Sequence, residues 1–152
     1  IHWVHIGTGE QEKHIRELAS ELLHAKENIT VDFLGKLPNS EVQKYYSEHP
    51  VDLFVNVSES EGIPVSIMEA MAYGIPALAT DVGGTREIVS NQTGYLVPKD
   101  ITAEELCTKL EKFQRLSQGQ RMELAHNAEE VWKKSFDAEK NIKNFFSRLA
   151  GQ

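Results

Sequence analysis

The chain has a single cysteine among its 152 residues, Cys107, so no disulfide can form within it and a reducing, cytoplasmic setting is expected. Cys107 falls on the apolar side of an expected helix and is read as core packing. Basic residues are in deficit: 16 Lys and Arg stand against 23 Asp and Glu, a formal charge of −7. That balance argues against a general nucleic-acid or anionic-membrane binder. No apolar run approaches the ~20 residues that cross a bilayer, and no signal-peptide pattern opens the chain. Linkers and internal repeats are missing too. With 40% hydrophobic content, residues 1–152 are read as one domain around one core. An initiating methionine is also lacking, and the chain opens inside a strand-like segment, Ile1–Ile6, as a piece of something longer would.

Metal-ligand patterns are equally thin. His2 and His5 lie three apart on a strand and so point to opposite faces, and the other four histidines are scattered, so no metal site is expected. A nicotinamide-type fingerprint is incomplete. Gly7-Thr8-Gly9 follows the first strand, but the third glycine position holds Glu12, and the next strand ends in Leu34-Gly35-Lys36 without an acid for a ribose. Gly7 and Gly9 therefore remain open to helix–strand packing or to close backbone approach by a nucleotide.

What is present is a repeated strand–loop–helix pattern. Ile1–Ile6 reads as a strand, followed by a helix whose Ile15, Leu18, Ala19, Leu22 and Leu23 share one face. Residues 29–34 make a second strand, and after Leu37-Pro38-Asn39 a capping box of Ser40 with Gln43 starts a helix to about Glu48. Residues 51–57 form a third strand that delivers Ser58–Gly62 to the same sheet edge, where open α/β sheets bind ligands. Leu37 and Asn39, on the preceding strand-to-helix loop, are candidates for ligand contact or for an ordinary turn. Beyond Thr102 the pattern turns helical. Thr102 with Glu105 caps a helix carrying Leu106, Leu110 and Phe113, and two more helices span roughly 120–134 and 137–149.

The densest stretch is Glu61–Gly84, EGIPVSIMEAMAYGIPALATDVGG. Pro64 suits the first turn of a helix, Ile67, Met68, Met71 and Ala72 repeat at helical spacing, and Gly74 ends the run. Residues 75–80 read as a strand buried on both faces. Gly83-Gly84 are read as permitting a sharp turn into a short helix through Val89, and residues 94–97 as a last strand. With about 1.5 Å rise per helical residue, the carboxylates of Glu61 and Glu69 lie roughly 10 Å apart. That is too far for one acid–base pair and suits two ends of an extended ligand, with helix N–H groups between them. Taken singly, each glutamate reads as a residue complementing the helix dipole or solvated on the helix.

Glu61-Gly62, Glu69-Ala70-Met71-Ala72, Gly74, Pro76, Gly83-Gly84 and Glu87 together resemble the signature of retaining, nucleotide-sugar-dependent glycosyltransferases of family 4. Gly7-Thr8-Gly9, Phe33-Leu34-Gly35 and Gly94-Tyr95-Leu96-Val97 are similar to further landmarks of that family. The resemblance implies an α/β, Rossmann-like three-layer sandwich with a mainly parallel sheet of five or six strands, the carboxyl-terminal half of a two-domain GT-B enzyme. It implies that Glu61 contacts the transferred sugar, that Glu69 holds the ribose, and that the backbone of Gly62, Ile63 and Val65 meets the phosphates and sugar. It places the base against Leu37 and Asn39 and leaves Gly7 and Gly9 as a possible nucleotide loop. Pro64 departs from the pattern, since many members carry glycine there and proline offers no backbone donor.

The chain also lacks an Asp-x-Asp pair of the kind that holds a divalent ion against a diphosphate, so neither metal nor cofactor is expected. The expected partners are a nucleotide sugar and a missing amino-terminal domain, through which membrane association is open. Phe145 and Phe146, adjacent and unable to share the centre of one stripe, leave one ring for that domain. Turnover by the isolated chain is not expected, because the family draws its diphosphate-binding cations from upstream of Ile1. A sugar-nucleotide epimerase or phosphorylase of the same architecture, and a non-catalytic interaction module, are the alternatives.

Overall fold

The computed structural model describes residues 1–150. They divide into two compact units, one covering Ile1–Glu48 and one beginning at His49.

The first unit is β1 (His2–Ile6), α1 (Glu12–Leu23), β2 (Thr30–Gly35) and α2 (Asn39–Glu48). β1 and β2 pair in parallel from His2 opposite Thr30 to Ile6 opposite Gly35, an arrangement that requires a crossover, supplied by α1. Trp3 and His5, two apart on β1, share one face with Phe33 of β2, the rings meeting at centroid distances of 5.6–6.1 Å. Arg16 of α1 covers Phe33 at 4.5 Å. His2, on the opposite face, bonds Asp32 at 2.8 Å. Two expectations need correction. Leu18 and Leu22 stay largely exposed, because the covered stripe of α1 runs through Ile15, Ala19 and Leu23. The second helix starts at Asn39, with the Pro38 carbonyl accepting from Glu41 and Val42, and the Gln43 side chain donates to Asn39 Oδ1 at 2.7 Å, so Gln43 pairs with Asn39 and not with Ser40 as a cap.

The second unit runs β3 (Phe54–Asn56), α3 (Val65–Ala72), β4 (Ala77–Thr80), a 3-10 turn (Thr85–Glu87), β5 (Gly94–Val97), α4 (Ala103–Gln114), α5 (Gln118–Ser135) and α6 (Ala138–Ala150). Its sheet has the order β3-β4-β5, with both pairings parallel. β4 is central and buried at all four positions, as an apolar run in a parallel sheet should be. The strands are shorter than the apolar runs. Pro76 has no N–H, its carbonyl accepts from Phe54 at 2.9 Å, and regular pairing begins only at Phe54 opposite Ala77. Ile67 and Met71 of α3, Ala77 and Ala79 of β4, Ile88, Val89 and Ala128 of α5 form the core. Each large aliphatic side chain among them contributes about 1.5–3 kcal/mol by leaving water.

The first two helices after β5 begin where hydroxyl caps dictate. Thr102 with Glu105, and Ser117 with Gln120, form reciprocal capping boxes. Cys107 is exposed, against the core-packing expectation. The buried side of α4 is set by Leu106, Leu110 and Phe113, and a neighbour of Leu106 points about 100° away from it. On α6, Phe145 and Phe146 are both exposed, with ring centroids 5.8 Å apart, and Ile142 and Leu149 are exposed as well.

Candidate functional site: the β3–α3 loop and its glycine clasp

β3 ends on Asn56, and the chain turns through Ser58–Ile63 into α3. The N-cap of that helix is Pro64, buried, with φ −71° and ψ 106° and no side-chain cap. Pro64 therefore precedes the helix instead of opening its first turn, and its carbonyl accepts from Ile67 and Met68 at 3.2 and 3.3 Å. The leading N–H groups of a helix have no intrahelical acceptor, so α3 presents donors at Val65 and Ser66 beside the loop. Ile63 and Val65 have exposed side chains, and Gly62 is exposed. Gly74 closes α3 with φ +68°, its amide on Met71 at 3.0 Å.

Glu61 is half-buried and accepts from Asn56 Nδ2 at 3.2 Å. Asn56 Oδ1 in turn accepts from the Ser58 amide at 3.0 Å and from its hydroxyl at 2.6 Å. The Ser58 carbonyl accepts from the Thr80 hydroxyl at 2.6 Å, which ties the loop to the end of β4. Asn56, Ser58 and Thr80 were missed by sequence reasoning; the available signal was a lone amide closing an otherwise apolar strand. Glu69 stands on α3, also half-buried. The structure thus brings Glu61, Gly62, Ile63, Val65 and Glu69 into one loop-and-helix segment.

Gly83 and Gly84 do more than permit a turn. Gly83 has φ +53°, and a Cβ there would overlap the Glu61 carbonyl oxygen, with the Glu61 carbon at 2.8 Å. Gly84 donates to the Gly62 carbonyl at 2.7 Å. The two loops at the carboxyl ends of β3 and β4 therefore clasp backbone to backbone, which no residue with a side chain permits at Gly83. Arg86, just beyond, makes a two-pronged bond to Asp81 at 2.9 and 2.7 Å.

The remaining sequence candidates, Gly7, Gly9, Leu37 and Asn39, belong to the first unit. Gly7, with φ +141°, donates to the Gly35 carbonyl at 2.8 Å, so the loops after β1 and β2 are joined at their carboxyl ends. Gly9 accepts from Glu12 at 3.0 Å as α1 begins. Leu37 is half-buried and Asn39 exposed.

Two other groupings lie away from these loops. His126, Glu129 and Glu130 gather on α5 with ligand-type atoms within 4.8 Å. The Lys133 ammonium sits on the Glu129 and Glu130 carboxylates at 2.7 and 3.3 Å, and the hydrogen bond it donates to Glu129 is the first cause that holds its pKa above the ordinary lysine value. A cavity of about 460 Å³ is lined by Val51, Asp52, Pro76 and Arg121 among others, at the amino ends of β3 and β4, and includes none of the expected site residues. No described helix is long and apolar enough to cross a membrane.

Parallel strands alternating with helices, with polar groups at the strands' carboxyl ends, make an α/β fold that matches one half of GT-B glycosyltransferases. Residues 1–131 match the sequence family described as glycosyl transferases group 1, and the chain belongs to that family. It is 38% identical over 108 residues to the O-antigen biosynthesis glycosyltransferase WbnH of Escherichia coli, covering 71% of this chain and 28% of that protein. It is 34% identical over 109 residues to the putative teichuronic acid biosynthesis glycosyltransferase TuaC of Bacillus subtilis, covering 72% and 27%. Among solved structures, Anabaena HepE in complex with UDP-glucose superimposes with a TM-score of 0.74 at 24% identity, over 98% of this chain and 40% of that one. The pneumococcal O-GlcNAc transferase GtfA with UDP and GlcNAc gives 0.73 at 20% identity, over 100% and 30%. The chain thus spans little more than a quarter of the length of the curated relatives it matches.

Proposed function

We propose that this chain is the donor-binding domain of a retaining glycosyltransferase that moves a sugar from a nucleoside diphosphate sugar to an acceptor such as a glycan or lipid-linked saccharide. The observation that carries the reading is the bracketing of the α3 N-terminus by Glu61 on the β3 loop and Glu69 on the helix. Carboxylates accept from hydroxyls, and a helix N-terminus favours an anion. In this reading Glu69 accepts from the ribose, the α3 amides and the backbone of Gly62, Ile63 and Val65 meet the diphosphate, and Glu61 accepts from the sugar. For Leu37 and Asn39 as base contacts, and for Gly7 and Gly9 as a nucleotide loop, the support is the family resemblance alone. Catalysis then comes from orientation and from stabilising the charge of the departing diphosphate, with no metal in the scheme. UDP and UDP-glucose, the ligands of HepE, support a uridine donor as the first to try.

The reading includes a cytoplasmic setting, and it includes an acceptor domain outside these residues, the latter supported by the quarter-length coverage of the relatives. On this view the chain alone binds donor weakly, on the order of −4 to −5 kcal/mol, and transfers nothing. Saturable UDP binding that disappears in Glu69→Ala is the expected result, and unchanged binding contradicts it. A second reading, a non-catalytic module with the same fold, is favoured by one observation: the buried Pro64 removes a backbone donor at the helix entrance. It predicts no nucleotide binding at all.

A further inference from the structure

We infer that Asn56 is a positioning residue for the Glu61 carboxylate, and that the Ser58–Asn56–Glu61 relay sets how well a donor sugar, as distinct from its nucleotide, is held. The inference rests on the donor-binding reading above. Two donors, the amide and the hydroxyl of Ser58, converge on Asn56 Oδ1 at 3.0 and 2.6 Å. An amide oxygen that accepts twice on one side fixes the orientation of the group, so the NH2 faces Glu61 and donates to Oε1 at 3.2 Å. Asn56 itself does not wander, because it is the last paired residue of β3, opposite Ala79 of the buried central strand. Ser58 is held in turn by the Thr80 hydroxyl at 2.6 Å.

The consequence is a carboxylate with one oxygen engaged from the strand side and the other left to accept from a ligand. Glu61 follows a polar loop, Ser58-Glu59-Ser60, and a free glutamate there would sample several rotamers. A donor already in place removes that freedom before the sugar arrives, which is preorganisation of a binding group by its neighbours. Asparagine suits the position because it accepts from Ser58 and donates to Glu61 at once; aspartate can only accept, and would set a second negative charge against Glu61.

The test is calorimetry on the whole chain with UDP and with UDP-glucose, for Asn56→Ala, Asn56→Asp, Ser58→Ala and Glu61→Gln, and for the double variant Asn56→Ala/Glu61→Gln. Expected are a UDP affinity within about twofold of the parent, a loss of UDP-glucose affinity of about 3–10-fold for Asn56→Ala and more for Asn56→Asp, and no further loss from Asn56→Ala once Glu61 is changed. Ser58→Ala, which keeps the amide donor, should give the smallest loss. If Glu61→Gln weakens UDP-glucose while Asn56→Ala and Asn56→Asp do not, the positioning role is wrong and the donor reading stands. Equal loss of both ligands makes Asn56 a folding residue only and overturns the role. If Glu61→Gln leaves the ratio of the two affinities unchanged, or UDP does not bind, the donor reading fails and takes this role with it. Independently of ligand, the side-chain amide resonance of Asn56 should shift in Glu61→Gln; an unmoved resonance contradicts the contact itself.

Discussion

The amide of Gly84 donates to the carbonyl of Gly62 at 2.7 Å, so the loop after β4 holds the loop that carries Glu61. The neighbouring glycines have different reasons to be there, and substitution should separate them. Gly83→Ala combines a left-handed backbone with overlap onto the Glu61 carbonyl, and a loss of about 2–4 kcal/mol is expected. At Gly84 the closest obstacles are Ile63 Cγ1 at 2.8 Å and the Gly62 oxygen at 3.0 Å, without the left-handed backbone of Gly83, so Gly84→Ala should cost roughly 1–2 kcal/mol. A Cβ at Gly62 meets nothing within 4 Å, and Gly62→Ala should stay within about 0.5 kcal/mol. Urea denaturation orders the three, and Gly62→Ala as the worst would contradict the clasp.

Pro64→Gly removes a buried ring at the N-cap and adds unfolded-state freedom. A stability loss of about 1–2 kcal/mol is expected, although glycine is itself a tolerable N-cap. The new backbone donor should raise UDP-glucose affinity despite that loss. A sharp fall would mean that the pyrrolidine itself shapes the site.

Much of this architecture was legible because it is local. Apolar period places α1 and α3, the unbroken run before Thr80 announces a strand covered on both faces, and Thr102 with Glu105 marks the start of α4. What was not legible depends on distant backbone. Nothing near Gly83 reveals that its Cα lies against Glu61, since that contact joins the ends of two parallel strands. Asn56 and Glu61 are only five residues apart, yet their bond depends on the turn between them, which Ser58 and Thr80 fix. The shortening of β3 likewise follows from Pro76 on its neighbour, not from its own residues.

Cys107, being exposed, should react with a disulfide reagent in the folded chain about as fast as in urea. Cys107→Ser should alter stability by less than about 0.5 kcal/mol. A thiol protected until unfolding would contradict its placement outside the α4 stripe.

Thr102→Ala removes one half of the capping box, the Glu105 amide bonded to Thr102 Oγ1 at 3.2 Å. A loss of about 1 kcal/mol is expected, with Thr102→Ser largely restoring it. Equal losses in both variants would assign the effect to the methyl group instead.

The central claim is that Glu69 and Glu61 hold two different parts of one ligand, and calorimetry with UDP and UDP-glucose tests it most directly. Glu69→Gln should weaken both ligands, and Glu61→Gln should weaken UDP-glucose alone, each by on the order of 1.5–3 kcal/mol if a hydroxyl–carboxylate bond is lost. Equal losses for both ligands in both variants, or no saturable binding by the parent chain, would contradict the assignment.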